Sequence, residues 1–165
     1  MIVRNLSIDP PGRMGRMDPV DESSGGCVTF LVRHAWLSMR SAVAAALAEH
    51  ELSVPQYGTL LILRDSPGRT IADVGRKVGT ARQSANELIT GMERAGLIER
   101  RANPNDRRSQ QVYLTEAGTK RLNDATPAVQ AVERGLEADF TAADRAAARA
   151  WLNRMVNTDI PIDEP

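Results

Sequence analysis

The residues with the clearest capacity for chemistry fall in one short stretch. Arg82, Gln83, Ser84, Asn86 and Glu87 occupy positions 82–87 together with a single alanine. Glutamine and asparagine can bond adenine through two hydrogen bonds, and serine can contact either a base or a phosphate. The stretch is therefore a candidate for contact with DNA, the alternative being an ordinary exposed polar helix face.

This polar stretch lies on a predicted helix over residues 82–95. The other face of that helix carries an apolar stripe at the spacing i, i+3, i+4, i+7, formed by Ala85, Leu88, Ile89 and Met92. A shorter helix, 71–78, precedes it, with Thr70 and Asp73 placed to cap its start and Gly79 placed to end it in the left-handed conformation. Two short helices joined by a glycine turn predict a helix-turn-helix.

A hairpin with arginines at its tip follows the second helix. Residues 97–101 and 110–114 are predicted to form two short strands. Between them lie Asp106, Arg107 and Arg108. In isolation these arginines would indicate a solvated turn, but directly after a helix-turn-helix they are expected to contact a minor groove or phosphates.

Longer helices flank this region. Residues 29–49 contain no glycine or proline, and residues 54–65 form a second predicted helix with a proline in its first turn. After the hairpin, Thr115 is expected to cap a helix that Pro127 should kink, and Thr141 a last helix reaching about residue 156. The sequence thus predicts a mainly α fold with a small β-hairpin wing.

Four segments resemble the MarR (multiple antibiotic resistance regulator) family. They are VPQYGTLLIL (54–63), TIADVGRKVG (70–79), MERAGLIERR leading into NPNDRR (92–108), and VYLTEAG (112–118). The resemblance implies a winged helix-turn-helix over about residues 52–118. It also implies a helical dimerisation module, formed by the N- and C-terminal helices over about residues 29–49 and 120–157.

The resemblance further implies how DNA is bound. The recognition helix would enter the major groove, and a wing arginine would enter a minor groove. Asp106 would orient the wing, with Arg107 and Arg108 as its fingers. On the matching positions, the remaining DNA-binding residues would be Thr70, Arg82, Gln83, Ser84, Asn86 and Glu87.

Two positions depart from the family pattern. Ala81 stands where a hydroxyl residue is common, so the cap of the recognition helix must come from Thr80 or be weak. Glu87 stands where a basic residue is common. A carboxylate near phosphates is unfavourable unless it accepts from a cytosine amino group or pairs with Arg82 or a neighbouring arginine.

The net charge of zero conceals an uneven distribution along the chain. Residues 69–121 carry eleven basic and six acidic residues, a net +5, whereas residues 1–68 carry a net −1 and residues 122–165 a net −4. A basic centre between acidic flanks suits a protein that presents one face to phosphates.

The ends of the chain are expected to lie outside the folded domain. Residues 1–26 are rich in proline, glycine and serine and show no sustained periodicity, which predicts a disordered arm. Met14 and Met17 are alternative starts to Met1. The MarR-type domain is predicted to span residues 27–157, followed by a tail over residues 158–165.

Several side chains of the first two long helices are candidates for an effector pocket. Phe30, Trp36 and Tyr57 provide aromatic rings, and His34 and Arg40 could bind an anionic head group. The alternative is ordinary core or interface packing. Because many members of the resembled family respond to such ligands, a small aromatic or anionic molecule is expected to release the DNA.

The single cysteine, Cys27, excludes an intramolecular disulfide. It lies near the place where peroxide-sensing members of the resembled family carry a reactive cysteine, but about two residues out of register. No basic side chain lies beside it to lower its pKa. A cysteine-based redox-sensing repressor is thus an alternative, while the isolated histidines predict no metal site.

These observations together predict a DNA-binding regulator. No nucleophile elbow, phosphate-binding loop or paired catalytic carboxylates are present, so neither an enzyme nor a cofactor is expected. We expect a cytoplasmic homodimer that represses transcription by binding double-stranded DNA at an inverted repeat, since the chain has no signal-like or membrane-spanning apolar run. The alternative from another class is a winged-helix protein-interaction module that has lost DNA binding.

Overall fold

The computed structural model describes residues 27–104, 106 and 108–157. The chain divides into two units, residues 1–39 and residues 40–165. The elements are α1 (Val28–Ala48), α2 (Val54–Asp65), β1 (Arg69–Thr70), α3 (Ile71–Val78), α4 (Arg82–Arg94), β2 (Ile98–Ala102), β3 (Gln110–Leu114), α5 (Glu116–Leu136) and α6 (Ala142–Asn157). The predicted mainly α fold with a small wing is confirmed. The predicted arm over residues 1–26 and tail over residues 158–165 lie outside the described residues.

Side-chain caps explain where the second helix begins. The Ser53 hydroxyl accepts a hydrogen bond from the Gln56 backbone N–H at 3.4 Å, and the Gln56 side chain accepts from the Ser53 N–H at 2.8 Å. This reciprocal pair is a complete capping box. The proline expected in the first turn is Pro55, at a position where its missing N–H has no helical acceptor to lose.

The helix-turn-helix forms where the sequence predicted it. Thr70 caps α3 by accepting from the Asp73 N–H at 3.2 Å, and Gly79 ends α3 with a φ of 74°. A Cβ on Gly75 would lie 2.8 Å from the Cβ of Ala85. Helices α3 and α4 therefore cross at a distance that only glycine allows at position 75.

The wing is part of a three-stranded antiparallel sheet in the order β1-β3-β2. Strands β2 and β3 pair from Ile98 opposite Leu114 to Ala102 opposite Gln110. The predicted first strand, residues 97–101, begins one residue too early. The sequence prediction missed β1, whose two residues are too short to show any periodicity.

Helix α5 begins against the end of α4, and this explains the LTEAG segment. The Thr115 hydroxyl accepts from the Gly118 N–H at 3.0 Å and donates to the Gly96 carbonyl at 2.6 Å. A Cβ on Gly118 would lie 1.9 Å from the carbonyl oxygen of Leu97. Position 118 must therefore be glycine. Further along, α5 continues through Pro127 without interruption.

The core of the second unit lies between α2, the helix-turn-helix, the sheet and α5. Its largest fully buried side chains are Leu47, Leu60, Leu63, Val74, Ile89, Met92, Ile98, Val112, Leu122 and Thr59. The one polar member, Thr59, donates its hydroxyl to the Pro55 carbonyl at 2.9 Å, so its burial leaves no donor unsatisfied. We call residues 52–118, which contribute most of this core, the winged lobe.

Candidate nucleic-acid interface

The outer face of α4 exposes every side chain that the sequence proposed for it. Arg82, Gln83, Ser84, Asn86 and Glu87 are all exposed. The apolar stripe on the opposite face is buried or packed against the core, with Ala85, Ile89 and Met92 fully inside. The helix is therefore held by one face and leaves its polar face to solvent.

Two hydrogen bonds order the polar face of α4. The Gln83 amide donates to Oε1 of Glu87 at 3.2 Å, and the Asn86 amide donates to the Arg82 carbonyl at 3.2 Å. Among the described residues, no ion pair joins Glu87 to an arginine or lysine. The arginine partner that the sequence analysis allowed for Glu87 is therefore not found among the described residues.

The start of α4 has no side-chain cap. Ala81 is the N-cap residue and makes no side-chain hydrogen bond, and the Thr80 hydroxyl is buried without a hydrogen-bond partner among the described residues. The weak cap expected from Ala81 is therefore observed, and Thr80 does not replace it. The first backbone N–H groups of α4 consequently remain available to an external acceptor.

The tip of the wing is organised around Asp106. Its carboxylate accepts from the Arg108 backbone N–H at 2.9 Å, and its own N–H donates to the Asn103 carbonyl at 3.3 Å. The Asn103 amide also donates to the Ser109 hydroxyl at 2.8 Å. Asp106 therefore sets the turn that presents Arg108. The other proposed finger, Arg107, lies outside the described residues.

A groove of about 570 Å³ opens between the start of α3, the outer face of α4 and the wing. Five proposed DNA-binding residues line it: Thr70, Arg82, Asn86, Asp106 and Arg108. Gln83, Ser84 and Glu87 lie on α4 outside this lining. The groove also contains Arg76, Arg100 and Gln110, which the sequence analysis did not single out.

Arg100 connects the recognition helix to the wing. Its guanidinium donates to the Thr90 hydroxyl at 2.7 Å and to the Gln110 side chain at 3.5 Å, and its Nε lies 3.1 Å from a carboxylate oxygen of Glu93. Its side chain is only 20% exposed. Sequence reasoning missed this role because the partners on α4 and β3 come together only in the folded lobe.

Asp73 places a carboxylate at the edge of the same groove. The Thr70 hydroxyl donates to this carboxylate at 2.7 Å, and Arg76 forms an ion pair with it. These contacts, the hydrogen bond from Thr70 first, lower the pKa of Asp73 below its usual value. Asp73 is therefore charged at neutral pH but engaged in capping α3.

The proposed effector residues lie in different environments. In the first unit, the rings of Phe30 and His34 are in contact with centroids 4.1 Å apart, and Trp36 is 52% exposed. In the second unit, Arg40 is exposed, whereas Tyr57 is only 7% exposed and donates its hydroxyl to Thr126 at 3.4 Å. Tyr57 is thus a core residue of the second unit.

Cys27 stands at the start of α1. Cys27 is exposed, and its sulfur lies 3.0 Å from the Thr29 hydroxyl. This hydrogen bond is the main cause that lowers the pKa of the Cys27 thiol, a cause that the sequence analysis did not anticipate. Within the described residues there is no group of three or more side chains suited to hold a metal ion.

Comparison with known proteins finds a match to one family and similarity to transcriptional regulators. Residues 50–109 match the MarR family. The regulator YdcH of Bacillus subtilis is 31% identical over 111 residues, covering 64% of this chain and 74% of YdcH. The regulator TtmR of Methylorubrum extorquens is 31% identical over 104 residues, covering 63% of this chain. The match spans only about half of TtmR, 52% of its length.

A solved structure extends the likeness to the fold. The transcriptional repressor CouR, in a complex with a 23-mer DNA duplex, superposes with a TM-score of 0.74 at 25% identity, covering 81% of this chain and 94% of CouR. No helix in the described part of the chain is long and apolar enough to cross a membrane.

Proposed function

The chain belongs to the MarR family of transcriptional regulators, and from this premise we propose that it binds a double-stranded DNA site through α4 and the wing and represses transcription there. The observation that carries this proposal is the groove between α3, α4 and the wing. It gathers Thr70, Arg82, Asn86 and Arg108 from three separate elements. These are the side-chain types that bind phosphates and base edges.

Charge and helix geometry favour DNA over another partner. Residues 69–121, which contain the groove, carry a net +5. The exposed start of α4 lacks a side-chain cap, so its backbone N–H groups and the positive end of its dipole suit a phosphate oxygen. An enzymatic role is not part of this proposal, because the matched family and the similar proteins named above are transcriptional regulators.

We further propose that the protein acts as a homodimer on an inverted repeat. Helix α6 buries none of its residues within the described chain. It exposes Trp151, Leu152, Met155 and Val156, the last with 83% of its surface accessible. In the first unit, α1 exposes Val28, Phe30, Leu31, Trp36 and Leu37. A second copy would remove such apolar surface from water, and a two-fold dimer would bind a two-fold DNA site.

Release by a small aromatic or anionic effector stays a prediction. Because Tyr57 is packed in the core, a ligand could reach its ring only by displacing its neighbours, so the exposed Trp36 and the Phe30–His34 pair are better placed to meet one. Titration of salicylate-like compounds against a preformed DNA complex tests this idea. Release that survives substitution of Phe30 and Trp36 by alanine would place the site elsewhere.

The test of DNA binding is a gel-shift titration of the full chain with the DNA upstream of its own gene. We expect a specific complex whose affinity falls steeply between roughly 50 and 200 mM salt, since bound phosphates release counterions. A duplex of random sequence serves as the control. Absence of any complex at low salt would favour the alternative of a protein-interaction module. A regulator of this kind would act in the cytoplasm, where the DNA is.

A further inference from the structure

We propose that Glu87, held in place by a hydrogen bond from Gln83, is the acceptor that selects a cytosine in the major groove of each half-site. This inference rests on the proposed function, because it assumes that α4 is the recognition helix. It names a chemical feature of the DNA sequence that the chain should bind.

The geometry of the pair determines what it can offer to a base. Carboxylates only accept hydrogen bonds, so the 3.2 Å contact requires the Gln83 amide nitrogen to be the donor and Glu87 Oε1 the acceptor. This orients the amide of Gln83 and engages one of its two N–H groups. Toward the outside, Glu87 retains a free carboxylate oxygen, and Gln83 retains its carbonyl oxygen and its second N–H group.

The carboxylate of Glu87 is also not neutralised by its surroundings in the described chain. Both Gln83 and Glu87 are exposed, and no described basic residue forms an ion pair with Glu87. The structural explanation for an acidic residue on this helix is therefore not an intramolecular salt bridge. A donor on the bound DNA would provide a hydrogen bond to the carboxylate oxygen that Gln83 does not use.

The four bases differ in the hydrogen-bonding groups that their major-groove edges present to Glu87. Guanine presents two acceptors and thymine one acceptor with a methyl group, so both would face the carboxylate unfavourably. Adenine presents a donor beside an acceptor, and the carboxylate has no hydrogen for that acceptor. Cytosine presents an amino donor alone. Among the four bases, cytosine is thus the one whose edge Glu87 satisfies completely.

The surface beside Glu87 leaves room for a base edge. A shallow depression of about 350 Å³ runs along α4 between Asn86, Glu87, Thr90, Gly91 and Arg94. Helical side chains lean toward the preceding turn, so a side chain at position 91 would cover the approach to Glu87. Gly91 has none, and a Cβ there would meet no atom within 4 Å. The opening therefore reflects the absence of a side chain, not a requirement of the fold.

The experiment is a selection of binding sites from random duplexes by the full-length wild type, the Glu87→Gln variant and the Glu116→Gln variant. Glu116 is a matched control, since it is an exposed glutamate on another helix and the change of charge is the same. We expect wild type and Glu116→Gln to enrich a C·G pair at one fixed position of each half-site. Glu87→Gln should enrich A·T there instead, because an amide can bond adenine through two hydrogen bonds.

Affinities for the selected duplex give the second measurement. Replacing the enriched C·G pair by T·A should weaken wild-type binding about 5- to 150-fold, and weaken Glu87→Gln binding by no more than about twofold. An enriched motif that Glu87→Gln leaves unchanged would overturn this inference and leave the proposed function intact. If the wild type enriches adenine at that position, Glu87 only orients Gln83, and the inference is also wrong. If no sequence is enriched by any variant, the proposed function itself fails.

Discussion

The winged lobe and helix α6 belong to the same unit but differ in what covers their apolar side chains. The lobe buries a continuous core that includes Leu60, Leu63, Val74 and Ile89, all within 1% of complete burial. Helix α6 buries no residue and leaves Trp151 44% exposed. The lobe thus covers its apolar side chains within one chain, whereas those of α6 are left for the second copy that we propose.

The largest expected effect tests the close packing of the lobe. Gly118→Ala should lower the free energy of unfolding by about 3 kcal/mol, because its Cβ would lie 1.9 Å from the backbone carbonyl oxygen of Leu97 and the backbone would have to shift. Gly135→Ala in the same helix is the control. Its Cβ would meet no atom within 4 Å, so it should be neutral or stabilising by up to about 1 kcal/mol. Chemical denaturation measures both, and equal stabilities would refute this explanation of the glycine.

The second prediction tests the exposed apolar residues of α6. A Trp151→Glu, Met155→Glu variant should sediment as a monomer and bind its DNA site about 100-fold more weakly, since the two half-sites would no longer be bound as a linked pair. Asn153→Glu adds charge to the opposite face of α6 and should remain dimeric. A double variant that stays dimeric would assign the apolar face of α6 to some other role.

A smaller effect is expected from the link between the recognition helix and the wing. Arg100→Ala removes the hydrogen bonds to Thr90 and Gln110 and should lower the free energy of unfolding by about 1–2 kcal/mol. DNA affinity should fall as well, because the wing would lose its fixed position relative to α4. Arg101→Ala provides the comparison: its side chain is 60% exposed, pairs with Glu99 within its own strand and lies 4.3 Å from the centroid of the Tyr113 ring, so a loss under about 1 kcal/mol is expected. Equal losses in the two variants would contradict a special role for Arg100.

The smallest effect depends on pH. The pKa of Asp73 is lowered mainly by the Thr70 hydroxyl, so its charged form stabilises the folded lobe above the unfolded-state pKa near 3.8. That contribution is lost as the pH falls through the lower pKa of the folded state. Asp73→Asn should therefore cost about 0.3–1 kcal/mol at pH 7, and almost nothing once the pH is below the pKa of Asp73 in the folded state. A pH-independent difference in thermal unfolding would show that the cap does not depend on charge.

Much of the lobe could be predicted from sequence because its local signals are self-contained. A cap needs only residues within one turn of each other, as at Thr70 with Asp73 and at Thr115 with Gly118. A glycine at a helix end, such as Gly79, is also a local signal, because glycine readily adopts the positive φ that the end of the helix requires. Strand β1 carried no such signal, because two residues pair with β3 only after the lobe has folded.

In the candidate site, too, some features follow from the local sequence and others depend on the tertiary structure. The sequence by itself determined that α4 has one buried and one polar face, because helical periodicity decides which side chains share a face. Only the tertiary structure decided that Thr70, Arg82 and Arg108 line one groove, that Arg100 joins α4 to the wing, and that Glu87 pairs with Gln83 rather than with a described arginine. These contacts depend on distances between elements or on a choice among several reachable partners. Packing of the core, not the local pattern of residues, sets those distances.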